Sequence, residues 1–372
     1  MKVKSVSIKD INRNQIYKLL RQNEGLSKQD IAYQLQLSLP TVTQNLNLLL
    51  EQNLIANTGT IGNTGGRKAR AYSCVSNAKA AIGLDITRHQ ITIVAVDLSG
   101  NVIQIKRKNE PFERTDEYFR LLGMMVQETA KDLELEPSKI LGVGIAVPGL
   151  ITEDHQTVFY GKILDFTGET LQQFAKYIPY PSILINDANA AGISEMWVRP
   201  EMTNAFYISL STNIGGAVYI DKQVYTGENQ KSGEIGHITI VPDGLPCYCG
   251  QMGCLEAYCS ASLLADAGNG SLEIFFNQVK EGKADKLKIW DQYLWHLSIA
   301  INNIRMLFDC DIILGGYVGA FMDEYIDTLK KLVSLRNTFE HRADFLLTCN
   351  YKTEAIAAGA ALPFIKEFID QI

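Results

Sequence analysis

The segment that most constrains this chain runs from residue 233 to residue 260 and reads GEIGHITIVPDGLPCYCGQMGCLEAYCS. It spaces one histidine and three cysteines as H-x9-C-x-C-x4-C, at His237, Cys247, Cys249 and Cys254. Thiolate and imidazole ligands suit a tetrahedral Zn²⁺ site, and the intervening prolines and glycines supply turns that can fold the segment around an ion. Because four protein ligands leave no position for water, we expect a structural zinc and not a catalytic one. The alternative is a group of buried free thiols beside an unrelated histidine.

Two carboxylates, Glu234 and Glu256, flank this array in sequence. A metal ion bound by these four residues would hold the two flanking segments in fixed positions. Both acids would then be pre-organised as hydrogen-bond acceptors for a polyhydroxylated ligand. GEIGH followed by CYCGQMGCLEAYCS closely resembles the signature of the ROK family (repressors, open reading frames, kinases). The resemblance implies that the histidine and the three cysteines bind zinc. It also implies that Glu234, His237 and Glu256 contact a sugar.

Length and composition indicate a multidomain globular protein. A chain of 372 residues is expected to form two or three domains, and 46% hydrophobic with 20% charged residues is typical of a sizeable core. The sequence contains no run of 18 apolar residues, and its first 15 residues lack the apolar region of a signal peptide. The scattered cysteines outside the array fit reduced thiols better than a disulfide framework. We therefore expect a cytoplasmic protein without membrane attachment.

Charge is distributed unevenly along the chain. Residues 1–73 contain ten Lys and Arg against four acids, a net charge of +6, whereas the whole chain carries −6. The remaining residues therefore carry −12. A basic head on an acidic body predicts a polyanionic partner for the head alone.

The head has the pattern of a helix-turn-helix. Apolar residues at helical spacing predict a helix over 10–23, and Ser27 and Ser38 are suited to cap two further helices. A short helix, a tight connection and a second helix with small polar residues near its start are typical of DNA-reading motifs. Hydroxyl and amide side chains at that start can reach base edges and phosphates in a major groove. The candidate DNA-contacting residues here are Ser38, Thr41, Thr43, Gln44 and Asn45.

Residues 56–73, ANTGTIGNTGGRKARAYS, follow this motif and predict a hairpin wing. Its basic residues Arg67, Lys68 and Arg70 can meet phosphates or enter the minor groove. The alternative is a small helical interaction domain with an incidental basic loop. The head also resembles the winged helix-turn-helix that ROK repressors carry and free-standing ROK kinases lack.

From Ala80 onwards the apolar pattern changes to the alternation of strands, which predicts an antiparallel meander followed by helices and buried strands. This opening resembles the first lobe of the actin-like ATPase fold (ribonuclease-H-like) that sugar kinases use. Within that resemblance, Pro148 and Gly149 match the loop that lines the sugar cleft. Asn186 and Asp187 match a motif in which the asparagine holds the sugar and the aspartate is the base of a kinase. The predicted fold class is thus α/β, an all-α winged helix-turn-helix head on a two-lobed sugar-kinase fold.

The phosphate-binding elements depart from the family pattern. Kinases of the family carry D-x-G-G-T on the first strand pair, where this chain has Asp85, Ile86, Thr87, Arg88 and His89. A second turn, usually G-T-G-I-G-G, reads STNIGG at residues 211–216. Backbone amides of glycine-rich turns hold polyphosphates, so these changes predict a weakened nucleotide site and no enzymatic activity. A third element, Gly315–Gly316, is retained, and Asp85 alone could still ligate Mg²⁺.

These observations predict a sugar-responsive transcriptional regulator, most simply a repressor of carbohydrate-utilisation genes. Its partners would be operator DNA, a small sugar effector and a second copy of the chain in a homodimer or homotetramer. The predicted domains are residues 1–73 (head), 79–190 completed by 355–372 (first lobe), and 191–354 (second lobe with the zinc loop). The sugar site would comprise Gly149, Asn186, Asp187, Glu234, His237 and Glu256. The main alternative is an ATP-dependent sugar kinase with an accessory DNA-binding head and Asp187 as its base. A third possibility is a corepressor whose cleft binds a phosphosugar through Arg88 and His89, or binds a protein partner.

Overall fold

The computed structural model describes residues 8–61 and 69–372. Within these residues the head contains three helices and a three-stranded sheet of order β1-β3-β2, so it is not all-α as predicted. The elements of the head are α1 (Ile8–Gln22), β1 (Leu26–Ser27), α2 (Lys28–Leu35), α3 (Leu39–Glu51), β2 (Ile55–Ile61) and β3 (Ala69–Cys74). Strands β2 and β3 pair antiparallel and are the arms of the predicted wing.

The two predicted capping residues, Ser27 and Ser38, lie at the starts of α2 and α3. Ser27 accepts a hydrogen bond from the Asp30 amide, and the Asp30 carboxylate accepts one from the Ser27 amide at 2.9 Å, which is a complete capping box. Ser38 accepts from the Thr41 amide at the start of α3, where Pro40 occupies the first turn. These local bonds fix the first residues of α2 and of α3. The chain between them therefore folds into the predicted helix-turn-helix.

The first lobe of the body is a five-stranded sheet of order β10-β7-β4-β5-β6 in the described residues. Strands β4, β5 and β6 pair antiparallel, which confirms the meander, and β7 and β10 extend the sheet in parallel. A hairpin of β8 and β9 and helices α4 and α5 accompany this sheet. Its elements are β4 (Ala80–Ile86), β5 (Gln90–Asp97), β6 (Val102–Asn109), α4 (Asp116–Asp132), β7 (Ile140–Val147), β8 (Leu150–Ile151), β9 (Val158–Tyr160), α5 (Leu171–Phe174) and β10 (Ser182–Asn186).

The second lobe is another five-stranded sheet, of order β13-β12-β11-β14-β15 in the part of the chain described. It follows α6 (Asp187–Trp197), and its strands are β11 (Ala205–Leu210), β12 (Ile214–Ile220), β13 (Gln223–Tyr225), β14 (Asp311–Gly315) and β15 (Leu346–Thr348). Its helices are α7 (Glu256–Cys259), α8 (Ala261–Ala267), α9 (Leu272–Lys280), α10 (Ala284–Phe308), α11 (Gly316–Gly319) and α12 (Ile326–Ser334). Aromatic and aliphatic side chains from these helices pack on the sheet as one core.

The last helix, α13 (Ala355–Asp370), returns to the first lobe and packs on β4, β7 and α6. Gly359 makes this approach possible, because a Cβ there would stand 1.6 Å from the Ala190 carbonyl oxygen of α6. The predicted boundary between residues 190 and 191 falls inside α6. We propose the three-domain division with α6 and α13 as the joint between the lobes.

Head and body share one hydrophobic core. Ile16, Tyr17 and Leu20 of α1 belong to the same cluster of buried residues as Ile365 and Ile369 of α13. The side-chain amide of Asn14 donates a hydrogen bond to the Ile369 carbonyl. Lys18 forms an ion pair with Asp370 at 2.7 Å. The head is therefore docked on the last helix of the body, and its orientation depends on that helix.

Candidate functional site

His237, Cys247, Cys249 and Cys254 come together as the spacing predicts. One ligand atom from each residue lies within 4.8 Å of all the others. The Cys247 Sγ lies 3.8 Å from His237 Nδ1, and the Cys249 and Cys254 Sγ atoms are 3.8 Å apart. Bonds of about 2.3 Å to a tetrahedral Zn²⁺ require edges of about 3.8 Å between ligand atoms. The donor set and its spacing therefore fit zinc.

The peptide around the cysteines folds back through tight backbone hydrogen bonds. The Cys247 amide donates to the Gln251 carbonyl at 2.8 Å, and the Gly250 amide donates to the Cys247 carbonyl at 2.9 Å. Gly253 has a φ of +76°, and a Cβ there would lie 1.8 Å from the Val241 carbonyl oxygen. Glycine at position 253 therefore allows the backbone to turn so that Cys254 lies close to the other three residues of the cluster.

His237 connects this candidate metal site to a cleft. With Nδ1 toward the thiols, its Nε2 faces the Tyr248 hydroxyl at 3.3 Å. Burial and then the nearby positive charge of Lys162 lower the pKa of His237, which favours the neutral imidazole that a metal ligand needs. One ring can therefore bind an ion on one side and a hydroxyl group on the other.

A cleft between the two lobes holds about 570 Å³ of empty space, including the open solvent at its mouth. Five of the six predicted sugar-site residues line it, namely Gly149, Asn186, Asp187, Glu234 and His237. The β7–β8 turn, the β10–α6 junction and the segment before the metal centre supply them.

The junction of β10 and α6 is held by Asn186. Its Oδ1 accepts from the Asn189 amide at 2.9 Å, which caps α6, and its Nδ2 donates to the Gly149 carbonyl at 3.1 Å. Asp187 Oδ1 accepts from the Ala188 amide at 2.8 Å. Asn186 therefore fixes the loop of Gly149 to the helix that carries Asp187.

Glu256, the sixth predicted residue, does not line the cleft. Its carboxylate accepts from the Ile214 amide at 2.6 Å and from the Asn213 side chain at 3.1 Å. Burial raises its pKa to about 7, while these two donors lower it. In this structure Glu256 holds the 211–214 turn in place behind the cleft.

The other acids of the region are also shifted toward the neutral form. Burial raises the pKa of Asp187 to about 6 and, with the charge of Asp187, raises those of Asp85 and Glu234 to about 7. Glu234 lines the cleft and is exposed there to solvent. Clustered carboxyls of raised pKa in a cleft are typical of functional sites.

Four further polar side chains line the cleft and were not predicted: Tyr160, Lys162, Asn213 and Tyr248. Lys162 donates to the Tyr248 carbonyl at 2.8 Å across the mouth of the cleft. Tyr248 lies between two of the cysteine ligands, so its proximity to His237 was the one available sequence signal. The other three come from segments that reach the cleft only through the folding of the lobes.

The turn after Asp85 is closed by its own side chains. The Arg88 guanidinium donates a hydrogen bond to the carbonyl of Ile163, a residue that lines the cleft. The Thr87 hydroxyl donates to the Gln90 carbonyl at 3.0 Å. In the second turn, Asn213 stands in a glycine position of the family motif and binds Glu256. Both replacements take part in protein contacts.

Helix α3 presents part of the predicted DNA-contacting set to solvent. Ser38 and Gln44 are exposed, and Thr41 and Thr43 are half-buried. Asn45 is fully buried and its Nδ2 donates to the Thr41 carbonyl at 2.9 Å, so the prediction that it reads bases is wrong for this conformation. Asn47, one helical turn beyond Gln44, is exposed on the same face and was omitted from the predicted set. Arg70 is exposed on β3, whereas Arg67 and Lys68 lie outside the described residues.

Comparison with known proteins agrees with this architecture. The ROK family model matches residues 81–367, and a winged helix-turn-helix DNA-binding model matches residues 9–56. The xylose repressor of Bacillus subtilis (strain 168) is 26% identical over 98% of this chain and 97% of its own length. A crystal structure of a ROK family transcriptional regulator, a homologue of the Escherichia coli MLC protein, covers 98% of this chain and 97% of its own with a TM-score of 0.76 and 21% identity.

The body alone also matches kinases of the same fold. A ROK family glucokinase from Streptomyces griseus, solved with glucose and AMPPNP, covers 76% of this chain and 98% of its own with a TM-score of 0.64 and 23% identity. The fold class is therefore the predicted one, a winged helix-turn-helix head followed by a two-lobed sugar-kinase fold. None of the helices in the described residues combines the length and apolar character that crossing a membrane requires. With the family model matching most of its length, the chain belongs to the ROK family.

Proposed function

We propose that this protein is a sugar-responsive DNA-binding regulator, a repressor of carbohydrate-utilisation genes. The observation that carries the proposal is the docking of a helix-turn-helix head on a body whose cleft gathers Asn186, Asp187, Glu234 and His237. Hydroxyl groups of a sugar would be hydrogen-bonded by these side chains and by the backbone at Gly149. The similarity to a xylose repressor over nearly the whole chain supports the same function and makes xylose the first sugar to test.

In this proposal zinc is structural. His237 and the three cysteines would hold it, and its chemistry there is to fix the loop that positions the cleft residues. Glu256 would act through the 211–214 turn that it binds, and would meet the sugar only if that turn moved.

Helix α6 supplies a physical connection between the cleft and the head. Its first turn carries Asp187, and its last residue, Trp197, lies about 15 Å away along an 11-residue helix. The Trp197 Nε1 donates to the Ser99 carbonyl at 2.8 Å, and the Arg21 guanidinium of α1 lies 5.0 Å from the centre of the Trp197 ring. A sugar that shifts the start of α6 would therefore act on the head through its end.

The last turn of α6 also contacts the linker that leads into α13. The buried Glu195 carboxylate accepts from the amides of Asn350 at 2.9 Å and Tyr351 at 2.8 Å. Because α13 carries the head, movement of α6 and this linker together would change the head's orientation. Two heads in a homodimer or homotetramer would then gain or lose the spacing that paired operator half-sites require.

The main alternative is a sugar kinase, and one observation favours it. A cavity of about 940 Å³ lies beside Tyr317 and Phe321, next to the retained Gly315–Gly316 turn. The regulator is the better-supported proposal because Arg88 and Asn213 occupy glycine positions of the phosphate-binding turns. Asp187 then serves as a hydrogen-bond acceptor for a sugar hydroxyl, with no transferable phosphoryl group held nearby.

Two assays on the zinc-loaded full chain test the proposal. Calorimetric titration with xylose, glucose and N-acetylglucosamine, each with and without Mg-ATP, should show binding of one sugar that is independent of ATP. A coupled assay should show no sugar-dependent ATP hydrolysis. Turnover of ATP with any of these sugars would instead identify a kinase, and no binding of any sugar would overturn both functions.

A further inference from the structure

A second cavity, with about 410 Å³ of empty space including open solvent, adjoins the proposed sugar cleft. The two cavities share Leu150, Asn186 and Glu234 as lining residues. A molecule bound against Asn186 and Glu234 in the first cavity therefore has the second cavity directly beside it. None of the sequence motifs predicted this cavity.

The second cavity is lined by uncharged polar side chains that have no protein partner. Asn189, Thr226, Gln230 and Ser232 contribute side-chain amides or hydroxyls, and no described residue hydrogen-bonds to these side-chain groups. Amide and hydroxyl groups both donate and accept, as the hydroxyls of a sugar do. Four such groups around one cavity offer a neutral polyol more partners than a monosaccharide in the first cavity would use.

The loop that supplies three of these side chains is held by its own backbone. The Ser232 amide donates to the Thr226 carbonyl at 3.0 Å, and the Ile235 amide donates to the Gly233 carbonyl at 2.6 Å. Opposite this loop, the His155 ring lies at Leu184, whose carbonyl is 2.9 Å from Nδ1. A carbonyl only accepts, so Nδ1 donates to it. Bonds within the protein therefore hold both sides of the cavity in place.

The charge of the lining argues against an anionic ligand. Among the described residues that line the cavity there is no Lys or Arg, and Glu234 is its one acid. A phosphate or carboxylate would lose its hydration without gaining a cation. A neutral ligand avoids this loss.

We propose that the second cavity binds the second ring of a neutral disaccharide whose first ring occupies the cleft. The inference rests on the proposed sugar-binding function and names its ligand class: a neutral disaccharide or a comparable glycoside. Leu150 and Ile185 provide apolar contacts for a ring face, and the four unpartnered side chains bind its hydroxyls. The regulator then responds to an oligosaccharide breakdown product in preference to the free monosaccharide.

Calorimetric titration of the zinc-loaded full chain tests this with matched pairs of probes: xylose and xylobiose, glucose and cellobiose, N-acetylglucosamine and chitobiose. For one pair, the disaccharide should bind at least tenfold more tightly than its monosaccharide. The Asn189→Ala and Ser232→Ala variants should each weaken binding of that disaccharide severalfold and leave binding of the monosaccharide unchanged. Lys231→Ala, in the same loop but outside the cavity lining, is the control and should change neither.

The outcomes separate this inference from the proposed function. Equal affinities for monosaccharide and disaccharide in every pair would overturn the second-ring site and leave the sugar-responsive regulator standing. A disaccharide preference that survives both variants would place the second ring elsewhere and overturn the assignment of this cavity. Failure of every sugar to bind would overturn the proposed function and this inference together.

Discussion

At the scale of single residues, Asp85 is placed where water can hardly stabilise its charge. Asp85 is buried at the end of β4, and no described residue donates a hydrogen bond to its carboxyl group. Its pKa is raised from 3.8 to about 7 by burial and by Asp187. A carboxyl kept in this state without a partner weakens the fold, which is typical of positions retained for a ligand.

Asp85→Asn should therefore stabilise the protein in a pH-dependent way. Between pH 4 and pH 7 the unfolded chain ionises Asp85 while the folded chain retains the proton, so the free energy of unfolding falls as the pH rises. The amide has no proton to lose. We expect a gain on the order of 2–4 kcal/mol at pH 8 and almost none at pH 4, measured by urea unfolding at both pH values.

The exposed Asp243 provides the matched control, through the variant Asp243→Asn. A gain for Asp85→Asn that is the same at pH 4 and pH 8 would contradict the raised pKa. Sequence alone could identify Asp85 as a family position, but its burial follows from the packing of the two lobes around β4.

At the scale of elements, helix α3 shows what periodicity can and cannot predict. Its boundaries followed from the cap at Ser38 and its apolar stripe, yet Asn45 faces the core with Val42, Leu46 and Leu49. A helix turns 100° per residue, so Asn45 lies on the same side as Val42 and Leu49, whereas Gln44 and Asn47 share the opposite face. Selecting DNA-contacting residues by polarity alone included Asn45. Selecting them by their angle around the helix would have chosen Asn47 instead.

We predict that Gln44→Ala and Asn47→Ala each weaken specific operator binding by about 1–3 kcal/mol, because an amide lost from the groove loses its base contact. Fluorescence anisotropy with an operator duplex selected from random DNA measures this. Binding to unrelated DNA should hardly change. Gln52→Ala, exposed at the end of the same helix, is the control. Unchanged specific binding in both variants would mean that α3 does not read the bases.

The metal loop is the element that sequence predicted best. Four ligands spaced within 18 residues must meet if they bind one ion, and they do meet here. What spacing could not predict is the second function of His237, whose Nε2 faces Tyr248 and the cleft. That relation depends on which ring nitrogen turns toward the thiols.

Cys254→Ser should release zinc and lower sugar affinity at least tenfold, because Glu234 and His237 lose the support of the folded loop. Zinc content by mass spectrometry and sugar titration by calorimetry measure the two effects. Cys259→Ala is the control, since Cys259 is buried five residues away and outside the ligand cluster. Full sugar affinity in zinc-free Cys254→Ser would contradict a supporting role for the metal.

At the scale of the whole molecule, the decisive feature is the core that head and body share. The order of the domains, the two lobes and the closing helix could be predicted from strand and helix patterns and from the family resemblance. The docking of α1 on α13 could not, because Ile16, Leu20, Ile365 and Ile369 read in sequence as ordinary core positions. Only the fold reveals that these apolar faces cover each other.

Trp197→Phe should uncouple the head from the cleft. It removes the hydrogen bond to Ser99 and weakens the contact with Arg21, so sugar binding and operator binding persist while the effect of one on the other shrinks toward zero. Operator titrations with and without sugar measure the coupling. Trp295→Phe is the matched control, because Arg336 lies 3.9 Å from the centre of that ring, far from the head in sequence. Unaltered coupling in Trp197→Phe would remove α6 as the connection.

The most direct test of the regulator is the operator affinity of the zinc-loaded full chain at fixed salt, measured with and without each sugar of the panel. One sugar should change the dissociation constant by about 5- to 150-fold, the usual range of allosteric coupling. A sugar that binds by calorimetry and leaves operator affinity unchanged would contradict the account.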